Sequence, residues 1–405
     1  MKAYVLRDIG KFGIEEVEQP VPGPEEVIVQ VKAAGICGSD ISRIYYHGTY
    51  SYPLIPGHEY SGIVVKAGSA AAKGAYAQTE SCNAGEGMHE DQNTSWIGKR
   101  VGIFPLIPCR KCLPCRQKRY EMCRNYSYLG SRRDGGFAEY VSVPVWNLIE
   151  LPEEVTFEQA AMMEPMAVAV HAMRKVLQVT GKQQTENKKW NTDLRISICG
   201  LGTIGLFLLM FLKEAGYDDI LVIGNKNIQK EKALALGISE GQFYDSRDGG
   251  ADVWLEQCAR EKVIDVFFEC VGVNETVNLA VNHTAPGGRV MLIGNPASDM
   301  ILDRQTYWKI LRNQLTLFGT WNSSYYKTSG DGVSDHRNPA KILSYDDCGD
   351  NAQEDDWQYV LNRLALGKVH PEQMITHRYD FDGLIRGFEL MRGKTEEYLK
   401  IMLKS

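Results

Sequence analysis

Nothing in the 405 residues is apolar for long enough to cross a bilayer. The longest uninterrupted run is LFLLMFL, residues 206–212, whereas a membrane helix needs roughly 20 residues. No charged-then-apolar leader opens the sequence, so the expectation is a cytoplasmic protein without a membrane partner. Positive charge is also scarce: 45 Lys and Arg against 51 Asp and Glu leave a formal net charge of −6. Such a molecule does not attract a phosphate backbone as a whole. Its one basic cluster is Arg110, Lys111, Arg116, Lys118 and Arg119, and nucleic acid is not expected as a partner. Internal repeats are absent too. What is present is an ordinary globular composition, 44% hydrophobic and 24% charged, in a chain long enough for two domains.

Ten cysteines without a leader argue for reduced thiols or metal ligands rather than disulfides. Four of them, Cys109, Cys112, Cys115 and Cys123, lie in PCRKCLPCRQKRYEMC with the spacing C-x2-C-x2-C-x7-C. Four thiolates within reach of one another suit a closed tetrahedral zinc, which folds a lobe rather than performing chemistry. An iron–sulfur cluster would take the same ligands, but nothing else in the sequence handles single electrons. Cys199 and Cys270 sit in strand-like apolar runs and read as core. Cys82 and His89 fall in a polar insertion, residues 69–95, and read as loop residues.

The first hundred residues are strand-like, with β-branched residues between Gly and Pro punctuation. From about residue 157 strands and helices alternate, which predicts a parallel sheet covered on both faces, a doubly wound Rossmann domain. CGLGTIG, residues 199–205, follows a strand and opens an apolar helix. Gly200, Gly202, Ile204 and Gly205 then form the turn that lets backbone N–H groups reach a dinucleotide pyrophosphate. The next strand ends in Gly224, Asn225 and Lys226, where an NAD site would place an acid. Without the carboxylate and with a lysine, NADP is expected in preference to NAD.

GICGSD, PGHEYSG, the four-cysteine clip, DGGFAEYV, EPMAVAVHA and GLGTIG occur in that order. In this the chain resembles the zinc-containing medium-chain dehydrogenases. Glu164 followed by Pro165 is similar to their polyol branch. CGSDISRIYYHGTYSYPLIPGHEYSG and GTWNSSY are similar to the galactitol-1-phosphate 5-dehydrogenase group within it. The resemblance implies an α/β protein: a GroES-like β-rich catalytic domain from residues 1–165 and 323–405, and a Rossmann domain over 166–322. It implies a catalytic zinc on Cys37, His58 and Glu164, with Glu59 able to exchange on the metal, besides a structural zinc on the clip, two per chain. Asp40 would orient His58, and Ser39 would bond the substrate hydroxyl. The histidine that relatives use as proton exit is Ser42 here, leaving water or His47 to take the proton. The implied reaction is hydride transfer between a secondary alcohol of a polyol phosphate and the nicotinamide. An unphosphorylated, sorbitol-like polyol or L-threonine is the alternative substrate. Arg43, Arg132 and Arg133 are the cations that could grip a phosphate. Relatives are homodimers or homotetramers, and RVMLIGN is the strand expected at a subunit edge.

Overall fold

A computed structural model describes residues 1–71, 96–177, 190–326 and 355–404; Cys82 and His89 lie outside the described residues. The longest strand, Glu26–Ile36, explains much of the first lobe. Its sequence EVIVQVKAAGI is apolar almost throughout, and nearly every residue is buried, as a strand covered on both faces requires. It pairs antiparallel with Glu59–Ala67 on one side and Lys400–Lys404 on the other, while Tyr140–Pro144 pairs with its first half. Ile375–Tyr379 extends the sheet beyond Lys400–Lys404, and Arg100–Ile103 and Leu148–Glu150 extend it beyond Glu59–Ala67. The closing segment, legible in sequence only as helix-rich, therefore supplies two strands to the sheet begun at residue 26. Its helix Leu384–Gly393 packs Phe388 against Tyr4, Phe12 and Phe137.

The second sheet is six-stranded and wholly parallel. Its order is Phe243–Asp245, Ile220–Gly224, Ile196–Cys199, Ile264–Glu269, Thr284–Leu292, Thr316–Gly319. That is the doubly wound order 3-2-1-4-5-6, with its switch point beside the first strand. Cys199 is buried and Cys270 half-buried against the core, as the sequence suggests. The expected boundary at residues 165/166 cuts a continuous helix, Met163–Leu177, whose start belongs to one lobe and whose length packs on the other. The strand containing RVMLIGN is not an edge, because Thr284–Leu292 is paired on both sides; among the described residues the edge strands are Phe243–Asp245 and Thr316–Gly319. Beside the latter edge, Leu317, Trp321, Trp308 and Leu311 are exposed. Among the described residues no helix is long and apolar enough to cross a membrane.

Helix Asp356–Ala365 packs along Met163–Leu177 through a buried polar cluster. Asp356 accepts from His171 Nδ1 at 2.7 Å, Arg174 at 2.9 Å and the Ser324 hydroxyl at 2.6 Å. Its neighbour Asp355 caps the helix, accepting from Gln358 N at 2.8 Å and Tyr326 N at 2.6 Å. Burial nevertheless pushes the Asp355 carboxyl up to about 7, the two N–H donors offsetting only part of the desolvation. An unfolded aspartate titrates near pH 4, so the fold binds a proton that the open chain releases. Stability from this group is complete at acid pH and is lost as pH rises through about 7. We expect the melting temperature of the wild type to fall relative to that of Asp355→Asn as pH rises from about 5.5 to 8.5. Parallel melting curves would refute the assignment.

Candidate functional site

Cys37 stands where the central strand ends. It is the N-cap of a short helix, Gly38–Ser42, whose third residue, Asp40, accepts a hydrogen bond from Cys37 N at 3.0 Å. Asp40 is fully buried. Its Oδ1 accepts from Arg43 at 3.0 Å and lies 3.3 Å from His58 Nδ1. Desolvation raises this carboxyl, but His58, Arg43 and the Cys37 N–H more than offset it and hold it below the ordinary aspartate value. With Nδ1 turned to Asp40, the other ring nitrogen of His58 is the one available to a metal. Ser39, exposed, donates to the Cys37 sulfur at 3.3 Å. Ser42 and His47 Nδ1 are 2.8 Å apart.

Strand register brings the remaining groups in. Gly35 lies opposite Glu59, and Ile36 opposite Ile401, so Glu59 and Lys400 flank the end of the central strand on either side, next to Cys37. Lys400 Nζ donates to Glu59 and, at 3.3 Å, to the Ile36 carbonyl. Both charged side chains are almost wholly buried. They meet across Gly35, where a β-carbon would come within 2.8 Å of Lys400 Cε. Lys400 was not legible as a site residue. KIMLK carries a lysine at each end, and nothing in the sequence tells the buried Lys400 from the exposed Lys404.

The ligating atoms of Cys37, His58 and Glu59 lie within 4.8 Å of one another. Glu164, in the first turn of Met163–Leu177, is buried beside this group but outside that radius. It accepts from the Tyr128 hydroxyl at 3.0 Å, a partner the sequence reading missed. Burial raises the Glu164 carboxyl; His58 and the Tyr128 hydroxyl pull it back, while Glu59 pushes the same way as burial. No cation is hydrogen-bonded to Glu164 among the described residues, whereas Glu59 has Lys400. A thiol, an imidazole and a buried carboxylate to which no cation is hydrogen-bonded form a donor set that fits zinc.

The four clip cysteines also lie within 4.8 Å of one another. Sulfur separations of 3.4, 3.9 and 3.9 Å are close to the tetrahedral edge of about 3.8 Å implied by Zn–S bonds near 2.3 Å. Arg110 and Lys118 adopt positive φ, 57° and 58°, turning the chain around the sulfurs. N–H groups of Lys111 and Cys112 pull the Cys109 thiol down to about 6 and other N–H groups lower that of Cys112, which favours the thiolate there, while burial pushes the Cys115 and Cys123 thiols up. The clip's Arg110 is held over the Trp146 ring at 5.2 Å.

In the dinucleotide turn Gly200 has φ +99°, and Gly205 sits against the Gly200 carbonyl, so both positions require glycine. A β-carbon on Gly202 would meet nothing within 4 Å, and the helix Thr203–Glu214 has no side-chain cap. Uncapped N–H groups facing open space at a helix start fit a pyrophosphate. Ile204 packs partly into the core. Asn225 N donates to Gln229 Oε1 at 2.8 Å, and Lys226 Nζ lies 4.6 Å from the Tyr398 ring centre.

The three arginines part company. Arg43 is tied to Asp40, and Arg133 donates to Glu26 at 2.6 Å. Arg132 is stacked between Tyr50 and Tyr126 at 4.1 and 4.3 Å, and its buried Nε has no hydrogen-bond partner.

Removing Lys400 would leave a buried carboxylate unpaired. Lys400→Met should therefore cost about 3–5 kcal/mol. Adding Glu59→Gln should restore much of that in calorimetry, and an unaltered melting temperature in the single variant would contradict the pairing.

Residues 23–153 match the alcohol dehydrogenase GroES-like domain, and residues 203–333 the zinc-binding dehydrogenase domain. Galactitol 1-phosphate 5-dehydrogenase of Escherichia coli (strain K12) is 30% identical over 369 residues, covering 91% of this chain and 89% of its own. L-threonine 3-dehydrogenase of Pyrococcus horikoshii is 28% identical over 404 residues, 97% and 96% of the two chains. The crystal structure of galactitol-1-phosphate dehydrogenase from Escherichia coli aligns over 100% of both chains with a TM-score of 0.78 at 27% identity. With its GroES-like lobe, its parallel dinucleotide-type sheet and these relatives, the chain belongs to the zinc-containing medium-chain dehydrogenases, a family of oxidoreductases.

Proposed function

We propose that the protein interconverts a secondary alcohol of a polyol phosphate and the corresponding ketose phosphate, with NADP as hydride carrier. One observation carries the reading. Leu399, just before the closing strand, and Lys400, its first residue, touch both half-sites: Thr203 Oγ1, beside the glycine turn, donates to the Leu399 carbonyl at 3.1 Å, while Lys400 holds Glu59. The coenzyme turn and the metal-type cluster are thereby fastened side by side.

Cys37, His58 and Glu164 would hold the catalytic zinc, Glu59 exchanging on it, and Cys109, Cys112, Cys115 and Cys123 the structural one. When bound, the catalytic ion supplies Lewis acidity that polarises the substrate oxygen and lowers the pKa of its hydroxyl. The chain's own residues do the rest. Asp40 fixes the tautomer and orientation of His58. Ser39, beside Cys37 and exposed, accepts the hydroxyl proton at Oγ as its own proton passes to water. The imidazole of His47, hydrogen-bonded to Ser42, is the base that takes a proton from that water. Gly202 and the uncapped helix start hold the pyrophosphate, and Asn225 with Lys226 face its ribose end, where a carboxylate would repel a 2′-phosphate. The exposed apolar edge at Thr316–Gly319 suits pairing with a second copy, giving a homodimer or homotetramer.

Arg132 is the arginine best placed for a substrate phosphate. It is held flat by two tyrosines, donates to the Tyr126 carbonyl at 3.0 Å, and, unlike Arg43 and Arg133, is paired with no carboxylate among the described residues; the Tyr126 ring lies 6.2 Å from that of Tyr128, which bonds Glu164. Arg132→Gln should lower kcat/KM for a polyol phosphate relative to the free polyol by roughly tenfold to a hundredfold. Arg133→Gln, whose partner is Glu26, should leave that ratio unchanged. If Arg132→Gln leaves it unchanged as well, the substrate is the unphosphorylated polyol or L-threonine, the latter the substrate named by one relative. A rate panel on galactitol 1-phosphate, sorbitol and threonine separates these.

Metal analysis should find two zinc ions per chain, one for each ligand cluster. Glu164→Ala should remove one ion and abolish turnover while the four-cysteine site stays loaded. Full turnover after chelation would overturn the zinc-dependent reading.

A further inference from the structure

The strand Ile220–Gly224 delivers the chain to the ribose end of a dinucleotide site, and no carboxylate stands there in sequence. The fold brings one from the other lobe. Glu397 lies between the helix Leu384–Gly393 and the last strand, and its carboxylate spans the start of the helix Asn227–Ala235. Asn227 N donates to Oε1 at 3.0 Å and Ile228 N to Oε2 at 2.9 Å. The helix's own N-cap, Lys226, makes no side-chain cap.

Cations surround this carboxylate. Arg247 donates to Asn227 Oδ1 at 2.7 Å and is paired with Asp245, on the strand next to Ile220–Gly224. Lys226 lies over Tyr398, the residue after Glu397. The Ile228 and Asn227 N–H groups first, then Arg247 and Lys226, hold the Glu397 carboxyl below its ordinary value. This is an anion position at the end of the second dinucleotide strand, filled by an exposed side chain that can swing away without repacking the core.

We propose that Glu397 tunes the coenzyme preference, supplying from the catalytic lobe a carboxylate that narrows the advantage of NADP over NAD. The inference rests on the dinucleotide reading above and deepens it. A 2′-phosphate seeks the same two N–H groups and the same Lys226, and meets a like charge already on them. The 2′-hydroxyl of NAD is neutral and can donate to that carboxylate. Glu397 therefore weakens the preference for NADP that Lys226 alone would create, and NADP must displace an interlobe contact that NAD leaves in place.

The test measures equilibrium binding of NADPH and NADH by nicotinamide fluorescence, in the wild type and in Glu397→Gln, Glu397→Asp and Lys226→Gln. Adenosine 2′,5′-bisphosphate and 5′-AMP, which differ by the 2′-phosphate alone, are titrated as competitors. In Glu397→Gln the affinity ratio of NADPH to NADH should rise about tenfold, with the same shift between the two fragments. Glu397→Asp, which keeps the charge, should stay near the wild-type ratio, and Lys226→Gln should move it the opposite way. A ratio in Glu397→Gln within about twofold of wild type, with both dinucleotides still bound, overturns the role of Glu397 alone. Failure of the wild type to bind either dinucleotide overturns the coenzyme reading and this inference together.

Discussion

A single buried ion pair, Lys400 with Glu59 across the side-chain-free Gly35, ties the architecture together. Two charges out of water are tolerable only as a close, hydrogen-bonded pair. Their pairing therefore locks the last strand of the chain against strands formed by its first 67 residues. Because the same few residues, from Glu397 to Lys400, also touch the glycine turn and the second dinucleotide helix, the registry of that strand carries into both half-sites. Misplacing it by one residue would turn every side chain to the opposite face of the sheet and separate Lys400 from Glu59.

Asp40 plays the corresponding part on the ligand side. One fully buried carboxylate receives the Cys37 N–H and the Arg43 guanidinium and faces His58. The thiol and the imidazole are thus oriented by the same group before any metal arrives, which reduces the reorganisation that metal binding must overcome. The carboxylates divide in a similar way. Glu59 is hydrogen-bonded to Lys400, while Glu164 accepts from the Tyr128 hydroxyl and feels the charges of His58 and Lys400 without a hydrogen bond to either.

Local spacing carried the parts of the site that are local. The clip's C-x2-C-x2-C-x7-C and the G-x-G-x-x-G turn could be read directly, since metal and phosphate geometry act over a few consecutive residues. Cys37, His58 and Glu164 needed the family resemblance, because they come from three separated elements. The arginines illustrate the opposite case. Arg43, Arg132 and Arg133 look alike in sequence, and only their partners Asp40, the two tyrosines and Glu26 distinguish them. The edge strand was misplaced for the same reason: RVMLIGN and the strand Thr316–Gly319 are both short apolar runs, and pairing on one or two sides is a property of the sheet.

By itself the sequence determined the two-lobed class, the four-sulfur clip, the glycine turn and the lack of an acid at Gly224, all consequences of residue type at short spacing. The tertiary structure alone decided that Lys400 neutralises Glu59, that Tyr128 bonds Glu164, and that Glu397 caps Asn227 and Ile228 from the opposite lobe. Those partners lie 341, 36 and about 170 residues apart. Which charges meet over such separations is set by strand register and lobe packing, because local propensity carries no information about them.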